Sequence, residues 1–409
     1  MSILLARAFG VDGYGDVTKI ATFVAIFYPL ADFGMNAVFL QKKDALWAEL
    51  LGVRLVTSVC LVFLAMALLV FLPQGAGQGY TAVVRLGIIV LLPSVVFQAI
   101  VTTTNAAFQK RFRYDLAAVA IIAGSAVTIG AVWILAPTGV IGVIVALGIG
   151  AMTTAAAALL FVKPLEGPVR PVLYRSSLAD YFTRALPLGM TIAFNLIYFR
   201  ADQIILALSR QTAEVGLYGL AYKVFEFFLA VPTFVMNSAY PLMVQKANQE
   251  SARLPARQGI RNQGLRQLFQ KMLLAMIPAS IFMMLIMWVA SPLLTMIRPE
   301  FAGSIPALRV LSLGLPFFFL TSLTMWTMIA AKKHMALIGI YGVSMILNVL
   351  LNIWLVPQYG YMAAAWVTVS SEAVVLAASV IIHHFLFSRK NPTNPTNNPI
   401  RPMNEAMSK

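Results

Sequence analysis

The sequence predicts an all-α, polytopic membrane protein, and three observations carry that prediction. Apolar residues make up 60% of the 409 and charged residues only 11%, against roughly 25% charged in an average soluble domain. Mean hydropathy is +0.83, which means more apolar surface than a soluble chain of this length could enclose behind a hydrated exterior. Eleven apolar runs reach the ~20 residues that a membrane-spanning helix needs. Barrel strands are excluded, because they read as alternating segments of ~10 residues rather than long apolar runs.

Polar loops, glycine and proline divide the runs in order. The first, 14–40, ends at polar 41–45, the second, 46–72, at Gly-rich 73–80, and the third, 81–108, at basic 109–113. Runs 114–136 and 139–162 are parted only by the turn Ala136-Pro137-Thr138-Gly139. After the basic segment 163–180 come 181–209 and 214–243, separated by 210–213. The basic segment 244–267 leads to 268–297, and short loops at 298–303, 331–334 and 357–360 separate the last runs, 304–330, 335–356 and 361–387. The tail, with Asn391-Pro392-Thr393-Asn394-Pro395-Thr396, has the composition of a disordered segment. This divides the chain into an N-terminal bundle (1–162), a cytoplasmic linker (163–180), a C-terminal bundle (181–387) and a cytoplasmic tail (388–409).

The net charge of +15 is set by position. The loops 41–45, 109–113, 163–180, 244–267 and 331–334, with the tail, hold 19 Lys or Arg, while the alternate loops hold three: Arg7, Arg210 and Arg298. Cations accumulate on the cytoplasmic side of membrane proteins, so the first set and the C-terminus are expected there. Topology, helped by anionic headgroups, accounts for the charge without nucleic acid. The lone Cys60 excludes a disulfide framework and a cysteine metal site. Eleven spans ending inside start outside, and Met1 to Gly10 reads as the last turns of a helix. The sequence thus predicts a twelfth span upstream, or else a short re-entrant or interfacial stub.

Residues 12–42 align without gaps on 216–246, pairing Tyr14-Gly15 with Tyr218-Gly219, Lys19 with Lys223, Phe23 with Phe227 and Gln41-Lys42 with Gln245-Lys246. A weaker echo sets Trp133–Gly139 on Trp354–Gly360. Both copies run in one direction, so the repeat is parallel: two six-span bundles, the first short by a helix, related by an axis along the membrane normal.

Leu5-Ala6-Arg7-Ala8-Phe9-Gly10, Gly13-Tyr14-Gly15 and Leu30-Ala31-Asp32-Phe33-Gly34 resemble the start of oligosaccharide flippases. Phe199-Arg200-Ala201-Asp202-Gln203 and Val215-Gly216-Leu217-Tyr218-Gly219-Leu220-Ala221-Tyr222-Lys223 add to the resemblance. These are polysaccharide (O-antigen) transporters of the multidrug/oligosaccharidyl-lipid/polysaccharide exporter superfamily, usually with 12–14 spans. The resemblance implies translocation of an undecaprenyl-pyrophosphate-linked oligosaccharide across the bacterial inner membrane for polysaccharide or lipopolysaccharide synthesis. It implies no ATP hydrolysis and no cofactor beyond coupling to H+, Na+ or the membrane potential. The partners it implies are the lipid-linked oligosaccharide, membrane lipids, a polysaccharide polymerase and glycosyltransferases.

A charge deep in a bilayer needs a cavity or a partner. Arg184 and Lys271 begin their spans and can snorkel, as can Arg85 and Arg309 at the other side. Arg54 and Arg200 sit roughly 12–14 Å from their helix ends at 1.5 Å per residue, where snorkelling is strained. Arginine grips phosphate oxygens through paired hydrogen bonds, so these two are the leading substrate-binding candidates for a pyrophosphate. Lys19, Lys223 and Arg309 are outer-cavity candidates, and the bland alternative for each is an ion pair between helices. The acids Asp32, Asp202, Glu226 and Glu372 are candidates for coupling or ion pairing. Asp32 shares a face with Asn36, Lys223 can pair with Glu226 in its own helix, and Asp32 is the expected partner of Arg200. Glu372 is the lone candidate for a coupling proton, while Asn348 and Asn352 suit interhelical hydrogen bonds. Pro29, Pro93, Pro187, Pro232, Pro278 and Pro316 fall inside spans, where each permits a kink.

Catalysis has little to work with: no phosphate-cradling glycine loop, no Asp-rich metal loop, and His334, His383 and His384 only near helix ends. The reading is a transporter and not an enzyme. Two alternatives stay open, a drug or organic-cation antiporter of the same superfamily and a non-transporting component of a glycan assembly complex.

Overall fold

The structure, a computed structural model, describes residues 1–41, 46–75, 79–167, 169–253, 263–331 and 333–388. The tail beyond Ser388, Lys42 and the side chains of His334 and His384 lie outside the described residues. Thirteen α-helices run in order among the described residues, without strands: α1 (Ser2–Ala25), α2 (Phe27–Asp32), α3 (Met35–Gln41), α4 (Trp47–Phe71), α5 (Ala82–Leu91), α6 (Pro93–Lys110), α7 (Tyr114–Leu135), α8 (Val140–Glu166), α9 (Arg175–Ser209), α10 (Thr212–Arg253), α11 (Gln263–Ala290), α12 (Ser304–Ala330) and α13 (His334–Ser388). Ten stretches of the described chain are long and apolar enough to cross a membrane. One of them, Met335–His383, has 49 residues, or about 74 Å of helix, more than twice a ~30 Å hydrocarbon core. It bends at Gly360 (φ 66, ψ −152) and so crosses twice, which makes eleven crossings.

Three sequence expectations change in detail. The run 14–40 is divided into α1, α2 and α3, and the run 81–108 into α5 and α6. Pro29 and Pro93 explain part of this, since each lacks the N–H that would bond four residues back. The second break falls at Phe33 (φ 43) and Gly34 (φ 80), two consecutive left-handed residues. The segments 163–180 and 244–267 are shorter as loops than expected: α8 continues to Glu166, α9 starts at Arg175, and α10 runs on to Arg253. Extending an existing helix costs little once it is nucleated. The connection that remains before α9 lies on α4, where Val172 N–H donates to the Ala48 carbonyl at 3.0 Å and Gly52 meets the Val172 backbone.

The echo between Trp133–Gly139 and Trp354–Gly360 has a backbone counterpart. Gly139 (φ 94, ψ −168) and Gly360 (φ 66, ψ −152) close their turns in nearly the same conformation, one that L side chains resist. Gly10 (φ 66, ψ −166) repeats it.

The two ends of the bundle differ, and "low-charge" and "basic" name them by their loops. At the low-charge end α1 packs on α10 through glycines. A Cβ at Gly15 would run into the Thr212 carbonyl, and one at Gly216 into the Val11 carbonyl. Across this seam Tyr14 meets Phe301 edge-on at 6.1 Å and the Lys19 ammonium donates to Thr212 Oγ1 at 2.8 Å, while within its own bundle it donates to the Gly79 carbonyl at 2.7 Å. The largest apolar core therefore takes residues from both bundles, Val17 and Ile20 beside Leu220 and Leu311. Toward the basic end, the α2–α3 break rests on α9, with Phe33 against Gly189 and Gly34 against Leu188.

Arg54 holds the N-terminal bundle together around that break. Its guanidinium is wholly buried and donates to Asp32 Oδ1 at 2.5 Å, Asn36 Oδ1 at 2.9 Å and Thr103 Oγ1 at 3.2 Å. One side chain on α4 thus ties α2, α3 and α6 together. Asp32 is taken by Arg54, which overturns its expected pairing with Arg200.

Two tests follow from this packing. Gly15→Val should overpack the α1–α10 seam and cost about 1–3 kcal/mol, read as a lower melting temperature of the detergent-purified protein. Arg54→Ala should cost about 3 kcal/mol, near the low end for a broken buried pair, because Asp32 keeps 24% exposure. The double variant Arg54→Met with Asp32→Asn should recover most of that loss. A single variant that melts like wild type would show that the pair does not hold the bundle.

Candidate functional site

A cavity of about 310 Å³ opens between the bundles, lined by α9, α10 and Pro29 of α2. From α9 come Ile192, Asn195, Leu196, Phe199 and Arg200, and from α10 come Tyr222, Glu226 and Leu229. Their spacings of three and four place each set on one face of its helix. The walls are mainly apolar and aromatic, so the few charged groups stand in a medium that strengthens their interactions.

The two lining charges, Arg200 and Glu226, form a triad across two helices with Lys223, which lies outside the lining. Arg200 Nη1 lies 3.2 Å from Glu226 Oε1, and Lys223 Nζ lies 2.6 Å from Glu226 Oε2. Each carboxylate oxygen holds one cation, and the triad carries one net positive charge. Arg200 also donates a long hydrogen bond to Gln203 at 3.4 Å. All three side chains keep solvent contact, with exposures of 23% for Arg200, 29% for Glu226 and 48% for Lys223. These pairs therefore add little to stability, and both cations can be reached by a ligand. The Lys223–Glu226 pair is the within-helix contact that the spacing allows, and Arg200 joins it from α9.

The other candidates lie elsewhere. Arg54, expected beside Arg200, is enclosed in the N-terminal bundle with Asp32. Lys19 is sealed into the α1–α10 seam. Arg309 packs 5.5 Å over the Trp288 ring, with Nε on Ser291 Oγ at 3.1 Å. In this structure none of the three lines the cavity described above.

Asp202 and Glu372 are buried within the C-terminal bundle and are held by hydroxyls. Asp202 accepts from Tyr218 at 2.5 Å, from Thr368 at 3.2 Å and from the Gln203 amide at 2.7 Å. Glu372 accepts from Tyr198 at 2.8 Å. Beside them Asn348 donates to Ser371 at 3.1 Å, joining the two arms of α13 either side of Gly360, whereas Asn352 bonds back to Asn348 in its own arm. The tyrosine partners escape a sequence reading that ranks only charged side chains. No local spacing marks them, since Tyr218 reaches Asp202 and Tyr198 reaches Glu372 from other helices.

The chain resembles known proteins in fold and in family. Among solved structures it is similar to the lipid II flippase MurJ in an inward closed conformation, with TM-score 0.74 and 14% identity over 93% of this chain and 84% of that one. It is also similar to an inward-facing multidrug resistance MATE family transporter of the MOP superfamily, with TM-score 0.69 and 13% identity over 95% and 94%. A third similar structure is a MOP superfamily transporter from Pyrococcus furiosus, with TM-score 0.57 and 13% identity over 94% and 87%. No curated protein sequence matches the chain. The family model described as polysaccharide biosynthesis protein matches residues 1–246, more than half of the length. This multi-pass membrane protein, with a fold similar to those of the lipid II flippase and the MATE transporter, belongs to the polysaccharide biosynthesis protein family.

Proposed function

We propose that this protein moves an undecaprenyl-pyrophosphate-linked oligosaccharide across the bacterial inner membrane by alternating access around the α9–α10 cavity. The observation that carries the reading is that Arg200 lines the apolar cavity between the bundles and shares Glu226, another lining residue, with Lys223 of the next helix. A pyrophosphate is the one strongly charged part of such a substrate and must leave water to cross. Arg200 offers it paired N–H donors and Lys223 a compact positive charge. The apolar and aromatic wall suits the prenyl chain. An organic cation, the cargo of a drug antiporter, would meet a net positive triad and be repelled.

The α1–α10 seam closes the low-charge end, so passage to that side requires the seam to part as the two bundles rock about the cavity. Asp202 and Glu372 are buried carboxyls outside the cavity, and they are the candidates for coupling this motion to a proton or sodium gradient. The basic loops and the C-terminus face the cytoplasm in this reading, which puts the low-charge end outside. Glycosyltransferases that build the glycan and a polymerase that extends it are the partners such a transporter would serve.

The substrate reading is tested in cells. Arg200→Ala and Lys223→Ala should each abolish or sharply reduce surface polysaccharide while membrane levels of the protein hold, and wild-type glycan in both would overturn the reading. Resistance to cationic dyes conferred by the wild-type chain would favour drug export instead. Orientation is tested after Cys60→Ala. Thr138→Cys should react with an impermeant maleimide added to intact cells, whereas Arg170→Cys should react only after the membrane is opened.

A further inference from the structure

We propose that Glu226 sets the charge selectivity of the cavity, excluding the singly charged phospholipids of the membrane and admitting a doubly charged pyrophosphate. The inference rests on the pyrophosphate reading above and extends it to the one acid among the described lining residues.

Two accessible cations between bundles that rock within a lipid membrane face a competitor at very high concentration. Headgroups such as phosphatidylglycerol present a phosphodiester, with one negative charge spread over two free oxygens, and anionic lipids gather at basic surfaces. Left bare, Arg200 and Lys223 would fill with such lipid. Glu226 presents the same valence, one charge and two oxygens, and already commits one oxygen to each cation. A phosphodiester that displaced it would exchange one charge for one and two contacts for two. It would gain nothing from the exchange, and it would compete with a group held in place by its own helix, for which effective concentration is high.

A pyrophosphate diester breaks this parity. It carries two charges and four free oxygens, so it can hold both cations at once and still accept other donors, such as the amide of Asn195 in the cavity wall. Glu226 keeps 29% exposure, so the displaced carboxylate can turn back into cavity water rather than being stranded. Selectivity thus comes from a built-in rival that only the more highly charged ligand outcompetes, a case of specificity by discrimination against the wrong partner. The arrangement also keeps the cations paired in the empty state, when an uncompensated double charge in an apolar wall would be costly.

The test uses the full chain in lipid nanodiscs made from phosphatidylethanolamine alone or mixed with phosphatidylglycerol, titrated with undecaprenyl pyrophosphate. The wild type should bind the pyrophosphate with a Kd that changes little when phosphatidylglycerol is added. Glu226→Gln should bind it more tightly in phosphatidylethanolamine and lose at least about tenfold in affinity in the mixture. Glu226→Asp, which keeps the charge, should retain the wild-type discrimination. Equal sensitivity to phosphatidylglycerol in wild type and Glu226→Gln would overturn the inference. Native mass spectrometry supplies an arm that needs no pyrophosphate: Glu226→Gln should carry one more tightly held phosphatidylglycerol than wild type, and equal retention would also overturn the inference. If wild type fails to bind undecaprenyl pyrophosphate while the phosphatidylglycerol difference holds, the substrate reading falls and the exclusion of single-charge lipids stands.

Discussion

Charge cannot remain unpaired in the apolar interior of a membrane bundle, and the arrangement of the site follows from how the buried ions find partners. Desolvating an isolated ion costs many times what one hydrogen bond returns. Arg54, too deep to snorkel, takes Asp32 and gathers Asn36 and Thr103 around the contact. That choice removes Asp32 from the centre. Arg200 is left to meet Glu226, which already holds Lys223 on the next helix. Arg200 and Glu226 therefore face the cavity with Lys223 held beside them on the carboxylate, and the buried pair beside the α2–α3 break serves the packing of one bundle.

The same constraint applies to backbone polar groups, which must be satisfied where no water reaches. Interruptions of the helices are placed accordingly. The break at Phe33 and Gly34 lies where α9 covers it and where Arg54 grips the residues on either side. The glycine turns at Gly139 and Gly360 sit at the low-charge end. Glycines along α1 and α10 let two backbones approach across the seam, and Lys19 spans it with a bond to the Thr212 hydroxyl. These contacts depend on a fixed distance between the bundles, so closure at this end is cooperative: parting the seam breaks the glycine contacts, the Lys19–Thr212 bond and the Tyr14–Phe301 contact together.

Within the C-terminal bundle a different solution appears. Asp202 and Glu372 are surrounded by hydroxyls of Tyr218, Thr368 and Tyr198 in place of cations. A hydroxyl stabilises a carboxylate less than a guanidinium does, and it can also coexist with the neutral acid. Such groups can change protonation without first dissolving an ion pair, which is the physical basis for assigning the coupling role to them and not to Asp32.

Much of this was legible in the amino-acid order. Length and polarity of the runs determined eleven crossings, loop cations divided the two ends, and the parallel alignment paired 12–42 with 216–246, segments that only the structure brings together in the α1–α10 seam. These properties are local: they depend on a segment's own transfer into lipid or on its own helical spacing. Within-helix pairing was legible for the same reason, as with Lys223 and Glu226. Partner choice between helices was decided only by tertiary structure. Arg54 and Arg200 look alike in sequence, each an arginine about two turns inside an apolar run. Whether such a residue is enclosed or faces a cavity depends on the rotation and neighbours of its helix, which no local pattern contains. The sequence determined which charges had to be accounted for, and packing decided that Asp32 would go to Arg54, leaving Arg200 to face the cavity with Glu226.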